Sequence, residues 1–256
     1  MLKALSGTSW GQSKETITST YKTIGRSIAN YAAPIWCPNL SNTNFKKIQV
    51  AQNSALRTAT GCHKMTPIDH LHQETQVLPI HEHSNLLCTQ YLAKCADPAH
   101  PCHTTIMNST RPRPMKHTLL SKYSEVLNSS THHLTPNATV KDKLRSIHTT
   151  IVEETIDSYQ PNRLLNTRPP TISKTELSLP RGPRSILSQL RSGFCSKLNS
   201  FQNRIKPNVP NSCPSCTHSP HDVTHLFNCP SNPITSNLQV QDLWTNPVPT
   251  FHFLHL

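Results

Sequence analysis

Four metal-binding side chains follow one another between residues 213 and 229, in the spacing C-x2-C-x8-H-x3-C: Cys213, Cys216, His225 and Cys229. No other stretch restricts local geometry so tightly. Sets of four thiolates and imidazoles are the donors of closed, tetrahedral zinc sites. Pro214 and Ser215 make a tight turn that lets Cys213 and Cys216 hold one ion. Asp222 is a good N-cap for a helix from Val223 to Cys229. On that helix His225 and Cys229 stand at i and i+4 and project from one face. Pro230 then disfavours helical geometry at Cys229 and ends the turn. His221 is a rival for the histidine position, but only His225 shares the helix face with Cys229. The pattern lacks the acid of H-E-x-x-H, and four ligands leave no open position. The expectation is structural Zn²⁺, with no catalytic residue. A redox reading of Cys213-Pro-Ser-Cys216 would need a strand-to-helix junction, and no strand run precedes it.

The rest of the chain predicts a mainly α fold. Apolar residues recur at helical steps in several blocks. Residues 13–33 carry Ile17, Tyr21, Ile24, Ile28 and Tyr31 at steps of four and three, with Ser13 as cap. Residues 42–60 align Phe45, Ile48, Gln52, Ala55, Leu56 and Ala59, and Gly61 stops them. Helices at 67–76 and 80–96 complete a helical domain over 1–97 whose first two helices form an antiparallel hairpin.

Periodicity then lapses. Residues 98–138, with Arg111-Pro-Arg-Pro114 and Ser129-Ser-Thr-His-His133, read as a linker. Residues 139–179 hold a helix at 139–159 and a Pro-rich gap, and 180–230 a basic helix followed by the zinc knuckle. That helix places Ile186, Leu187, Leu190, Phe194, Leu198 and Phe201 in one stripe. Residues 231–256 form a C-terminal tail, with a short helix holding Leu238, Leu243 and Trp244, then Pro247 and an apolar end from Phe251 to Leu256. With 22 prolines, 6 glycines and only 34% hydrophobic residues, helical pieces joined by irregular linkers fit better than one continuous core.

The net charge of +12 favours a polyanionic partner. No apolar run approaches a membrane span, and the opening Met1-Leu-Lys-Ala-Leu-Ser-Gly-Thr8 is too short and polar for a secretory signal. The nine cysteines are therefore expected as thiols in an intracellular compartment, cytoplasm or nucleus. Nothing points to a membrane partner or a small-molecule substrate.

Two dense blocks carry a resemblance. Leu190-Arg-Ser-Gly-Phe-Cys-Ser-Lys-Leu-Asn-Ser-Phe-Gln-Asn-Arg-Ile205, with Cys213-Pro-Ser-Cys216 and Pro220-His-Asp-Val-Thr-His-Leu-Phe-Asn-Cys-Pro230, resembles the C-terminal end of reverse transcriptases of non-LTR retrotransposons, most closely the jockey-like group. Upstream, Ser9-Trp-Gly-Gln12, Arg26-Ser-Ile-Ala-Asn-Tyr-Ala-Ala-Pro-Ile-Trp36 and Gln52-Asn-Ser-Ala-Leu-Arg-Thr-Ala-Thr-Gly-Cys-His63 resemble the segment after the polymerase palm, including the thumb. The family's Tyr/Phe-Ala-Asp-Asp turn, which binds the catalytic metals, is absent, and the chain has no Asp-Asp pair. The resemblance implies a C-terminal fragment that binds nucleic acid without polymerase activity of its own. The thumb-like helices would track an RNA/DNA template–primer duplex through Lys14, Lys22, Arg26, Lys46, Lys47 and Arg57. The knuckle would grip RNA through Arg184, Arg191, Lys197 and Arg204. A zinc-stabilised protein-interaction module, with Trp244, Phe251 and Phe253 docking a partner, is the alternative, as is a truncated, non-functional element product.

Overall fold

The computed structural model describes residues 2–7, 9–108, 116–135, 137–217, 220–231 and 237–254. The fold is mainly helical. The only β pairings among the described residues are isolated bridges, Ser6 to Gly11 and Ser212 to Pro220. No helix among these residues is long and apolar enough to cross a membrane. Arg111 to Met115, within the expected linker, lie outside the described residues.

The chain forms two compact units, each assembled from separated segments. The first comprises Met1–Tyr21, Asn53–Gln76 and Gln160–Leu256; the second comprises Lys22–Gln52 and Val77–Tyr159. The expected division into 1–97, a linker and C-terminal pieces is thereby corrected. Periodicity shows which face of a helix is apolar, but not which distant segment covers it.

In the second unit the helices Ile80–Cys95, Leu119–Thr131 and Val140–Ser158 pack on one another. Leu86, Ala93, Ile147 and Ile151 form one cluster; Ala33, Cys37, Phe45, Ile80, Cys88, Leu92, Leu119 and Tyr123 form another. Two of the helices begin with reciprocal capping boxes. Thr118 Oγ1 accepts from Ser121 N–H, and the Ser121 hydroxyl accepts from Thr118 N–H. Thr139 and the Asp142 carboxylate do the same. Each cap satisfies N–H groups that a helix start leaves open, worth about 1 kcal/mol. The helix Leu119–Thr131 falls inside the expected linker. Its Ser and Thr content and the neighbouring prolines hide an apolar face that buries Leu119 and Tyr123.

The helix expected over 13–33 is broken. Lys14–Thr20 is α-helical, Tyr21–Gly25 is a π turn and Arg26–Asn30 is α-helical again. A π turn closes i→i+5 bonds and inserts one residue, so the expected stripe does not continue past it. Ile17 and Tyr21 are buried, as is Arg26, five residues beyond Tyr21. Ile24, Ile28, Tyr31 and Ile35 are instead 50%, 78%, 82% and 72% exposed.

The first unit is built on Arg181–Arg191, a helix buried almost all round. Leu187 and Leu190 join Phe194, Cys195, Leu198, Phe201, Val223, Leu243, Trp244 and Leu254 in its core. The single long helix expected here stops at Arg191. Gly193, at φ +73°, turns the chain, and Asn199–Ile205 follows as a second helix. The tail is not free either: Pro247–Phe253 is helical, and Trp244, Phe251 and Phe253 pack on the same core. Of the rings expected to dock a partner, Trp244 is buried, and Phe251 and Phe253 are half-buried against that core.

Arg181 closes the end of the helix Asn42–Thr60, donating to Thr58 O (2.6 Å) and Ala59 O (3.1 Å), two of the carbonyls that a helix end leaves unpaired. It also donates to Gly7 O and Gln12 O. Gly61, at φ +74°, terminates that helix as expected, its N–H reaching Arg57 O at 2.9 Å.

Candidate metal centre

The helix Asn199–Ile205 anchors the cysteine hairpin. Asn199 Nδ2 donates to Ser212 O at 2.8 Å, and Asn199 N–H donates to His221 Nδ1 at 3.1 Å. His221 N–H returns to Asn211 O, beside the Ser212–Pro220 bridge. Thr217, at φ +61°, turns the chain back with its N–H on Cys213 O. Asp222 then caps Val223–Asn228 by accepting from His225 N–H at 2.8 Å, as its position in the sequence foretold.

This framework brings Cys213, Cys216, His225 and Cys229 together, with all four ligand atoms within 4.8 Å of one another. Cys213 Sγ lies 3.9 Å from Cys229 Sγ, and Cys216 Sγ lies 3.3 Å from His225 Nε2. Metal bonds of about 2.3 Å to sulfur and about 2.1 Å to nitrogen put tetrahedral ligand pairs roughly 3.6–3.8 Å apart. The donor set therefore fits a four-coordinate metal ion. Burial raises the Cys213 thiol, but the N–H groups of Cys216 and Ser215 and the His225 ring outweigh it and bring it down to about 6. A thiol so lowered is readily available as a thiolate ligand. His221 stands outside the group; its Nδ1 already accepts a hydrogen bond, and burial lowers its affinity for a proton.

The basic residues divide sharply. Lys22, Lys46 and Lys47 in the second unit and Lys197 and Arg204 in the first are exposed. Arg57 is half-buried and donates to His63 O and Lys64 O. Arg26 is buried with Nη2 on Leu78 O. Lys14, Arg184 and Arg191 are interior, so the expectation that they and Arg26 face a phosphate backbone is corrected. Lys14 Nζ reaches Glu74 Oε1 at 2.8 Å and Glu176 Oε1 at 3.2 Å. Arg191, 0% exposed, pairs with Glu74 at 2.9 Å and with Glu176, and donates to Leu243 O. Arg184 pairs with Glu15 and with Glu176. Buried cations require such partners. Glu74 lies 60 residues from Lys14 and 117 from Arg191 in sequence, so no local pattern reveals it; Glu176 stands in the 3₁₀ turn Lys174–Ser178 just before the arginine helix, where nothing in the sequence marks it as turned inward.

One feature of this region had no sequence signal. Arg163, exposed in an aperiodic segment, holds its guanidinium 4.9 Å from the centroid of Phe194; Arg204 holds its own 5.6 Å from the same centroid.

No protein-family model, curated protein or solved structure matches this chain.

Proposed function

We propose that the chain is a zinc-stapled nucleic-acid-binding module without polymerase chemistry of its own, corresponding to the C-terminal part of a jockey-like non-LTR retrotransposon reverse transcriptase. The observation that carries this reading is the convergence of Cys213, Cys216, His225 and Cys229 within 4.8 Å. It uses the residues in which the resemblance to that enzyme family is densest. Three thiols and an imidazole suit Zn²⁺ over harder divalent ions, and four protein donors make the site structural. When bound, zinc would supply folding free energy to a hairpin with little apolar core of its own.

Binding would rest on charge. Lys197 and Arg204 beside the hairpin, and Lys22, Lys46 and Lys47 in the second unit, contact phosphates without reading bases. The partners are RNA and an RNA/DNA template–primer duplex, met in the cytoplasm or nucleus where the cysteines stay reduced. Fluorescence anisotropy with both ligands between 50 and 200 mM salt tests this. Affinity should fall steeply across that range; a flat response refutes the reading. A primer-extension assay with Mg²⁺ or Mn²⁺ should give no incorporation.

A second reading, a metal-stabilised protein-interaction module, is favoured by the large exposed apolar side chains Ile24, Ile28, Tyr31 and Ile35, all within twelve residues of one another, since exposed apolar surface marks interaction sites. Nuclease treatment separates the two. Partners that persist after it and are lost on Ile28→Lys support the second reading; partners that vanish with the nucleic acid support the first.

A further inference from the structure

Five arginines of the first unit fall into two kinds. Arg181, Arg184 and Arg191 are buried, and each is engaged by carboxylates or carbonyl oxygens of the chain. Arg163 and Arg204 are exposed, and among the described residues neither has a carboxylate within ion-pair reach. Both nonetheless converge on Phe194. The ring is only 7% exposed and stands edge-on to Phe201, which stacks on His63 at 4.7 Å. A ring fixed in this way is a rigid support, and its face attracts a cation.

The approach of each arginine is also built in. Gly193 has no side chain, and the Arg163 stem crosses beside it; a Cβ there would sit 3.6 Å from Arg163 Cδ. Arg204 belongs to the helix Asn199–Ile205, whose first residue is hydrogen-bonded to His221 and Ser212 of the metal hairpin. Two like charges are thus held on one ring, and among the described residues no carboxylate pairs with either. Guanidinium forks match phosphate oxygens in pairs, and an arginine lying on an aromatic ring loses less freedom on binding than a free side chain.

We propose that Arg163 and Arg204 form a phosphate clamp on Phe194 that takes the sugar–phosphate backbone of single-stranded RNA, with the metal hairpin setting the position of Arg204. The choice of RNA rests on the function proposed above; the clamp itself rests on the geometry. Phe194 is too covered to stack with a base, so the clamp binds without sequence preference.

The test uses the full chain loaded with zinc and a fluorescein-labelled twelve-nucleotide oligo-U RNA. Arg163→Ala with Arg204→Ala should weaken binding at least tenfold and reduce the salt slope by about 1.4, at roughly 0.7 per single-strand phosphate contact. Arg163→Lys with Arg204→Lys should keep the slope and lose only part of the affinity. Chelating the metal should remove the Arg204 contribution, so that Arg204→Ala has no further effect. Unchanged far-UV circular dichroism and zinc content establish that the variants fold. If the wild type binds RNA and the double alanine variant keeps the same affinity and slope, the clamp is overturned while the proposed function stands. If the wild type binds no RNA, inorganic pyrophosphate followed by ¹⁵N NMR decides. Shifts confined to Arg163 and Arg204 Nε keep an anion clamp and overturn its assignment to RNA; no shifts overturn the clamp as well. Tighter binding of a poly-glutamate peptide than of the RNA overturns the choice of phosphate.

Discussion

Replacing Arg191 with methionine tests whether the interior of the first unit is held by charge balance. The side chain is fully buried and lies between Glu74 and Glu176, with a further hydrogen bond to Leu243 O. Three cations, Lys14, Arg184 and Arg191, face three carboxylates, Glu15, Glu74 and Glu176. Methionine fills similar volume but leaves one negative charge in excess and the Leu243 carbonyl without that donor. Breaking a buried pair from one side costs about 3–5 kcal/mol, a large share of the roughly 5–15 kcal/mol that holds a domain together. The melting temperature should fall by roughly 10 °C or more. Trp244, 2% exposed, reports on this unit once Trp10 and Trp36 are replaced by phenylalanine. Urea titration followed by its fluorescence measures the loss. Adding Glu74→Met restores two cations against two carboxylates, so the double variant should be more stable than Arg191→Met alone. A single-variant cost below about 1 kcal/mol, or a double variant no better than the single, would refute the reasoning.

Acid should weaken the same unit. Burial by itself raises the Glu74 carboxyl, but the Lys14 and Arg191 charges outweigh it and hold it well below the usual carboxylate range. A depressed carboxyl stabilises the fold fully above its unfolded value of about 4.3 and loses that contribution as pH falls below it; a urea midpoint unchanged from pH 6 to pH 3 would contradict this. Gly61→Ala should cost more than Gly193→Ala. Both sites have positive φ, worth about 1–2 kcal/mol to an alanine, but a Cβ at Gly61 meets Ser185 Cβ at 2.7 Å whereas at Gly193 the nearest atoms are 3.6 Å away. The clash should add about 1–3 kcal/mol, read as a difference in urea midpoint. Metal analysis should find one equivalent of zinc, and Cys213→Ser or chelation should raise hydrogen exchange over residues 199–231 first.

Local signals in the sequence were reliable where a single short segment settles the geometry. The four metal-facing side chains, the Asp222 cap, the Gly61 stop and the boundaries of Ile80–Cys95 and Val140–Ser158 all depend on neighbours within a few turns. What the sequence concealed was decided at long range. Arg184 and Arg191 sit on a basic helix that reads as a solvated face, and only Glu15 and Glu74, brought from distant segments, and Glu176, in the turn before the helix, draw them inward. The π turn at Tyr21–Gly25 is similarly silent, because its extra residue leaves the spacing of Ile24, Ile28 and Tyr31 looking regular. Cations near a helical stripe are therefore weak evidence of a binding face until the acids of the whole chain have been placed.

The interleaving of the two units bears on how the protein is made. Everything the second unit needs has been synthesised once Tyr159 leaves the ribosome, whereas the first still lacks Glu176, Arg191 and the hairpin. Lys14 can therefore meet Glu74 early, but its second carboxylate, Glu176, is made only after the whole of the second unit.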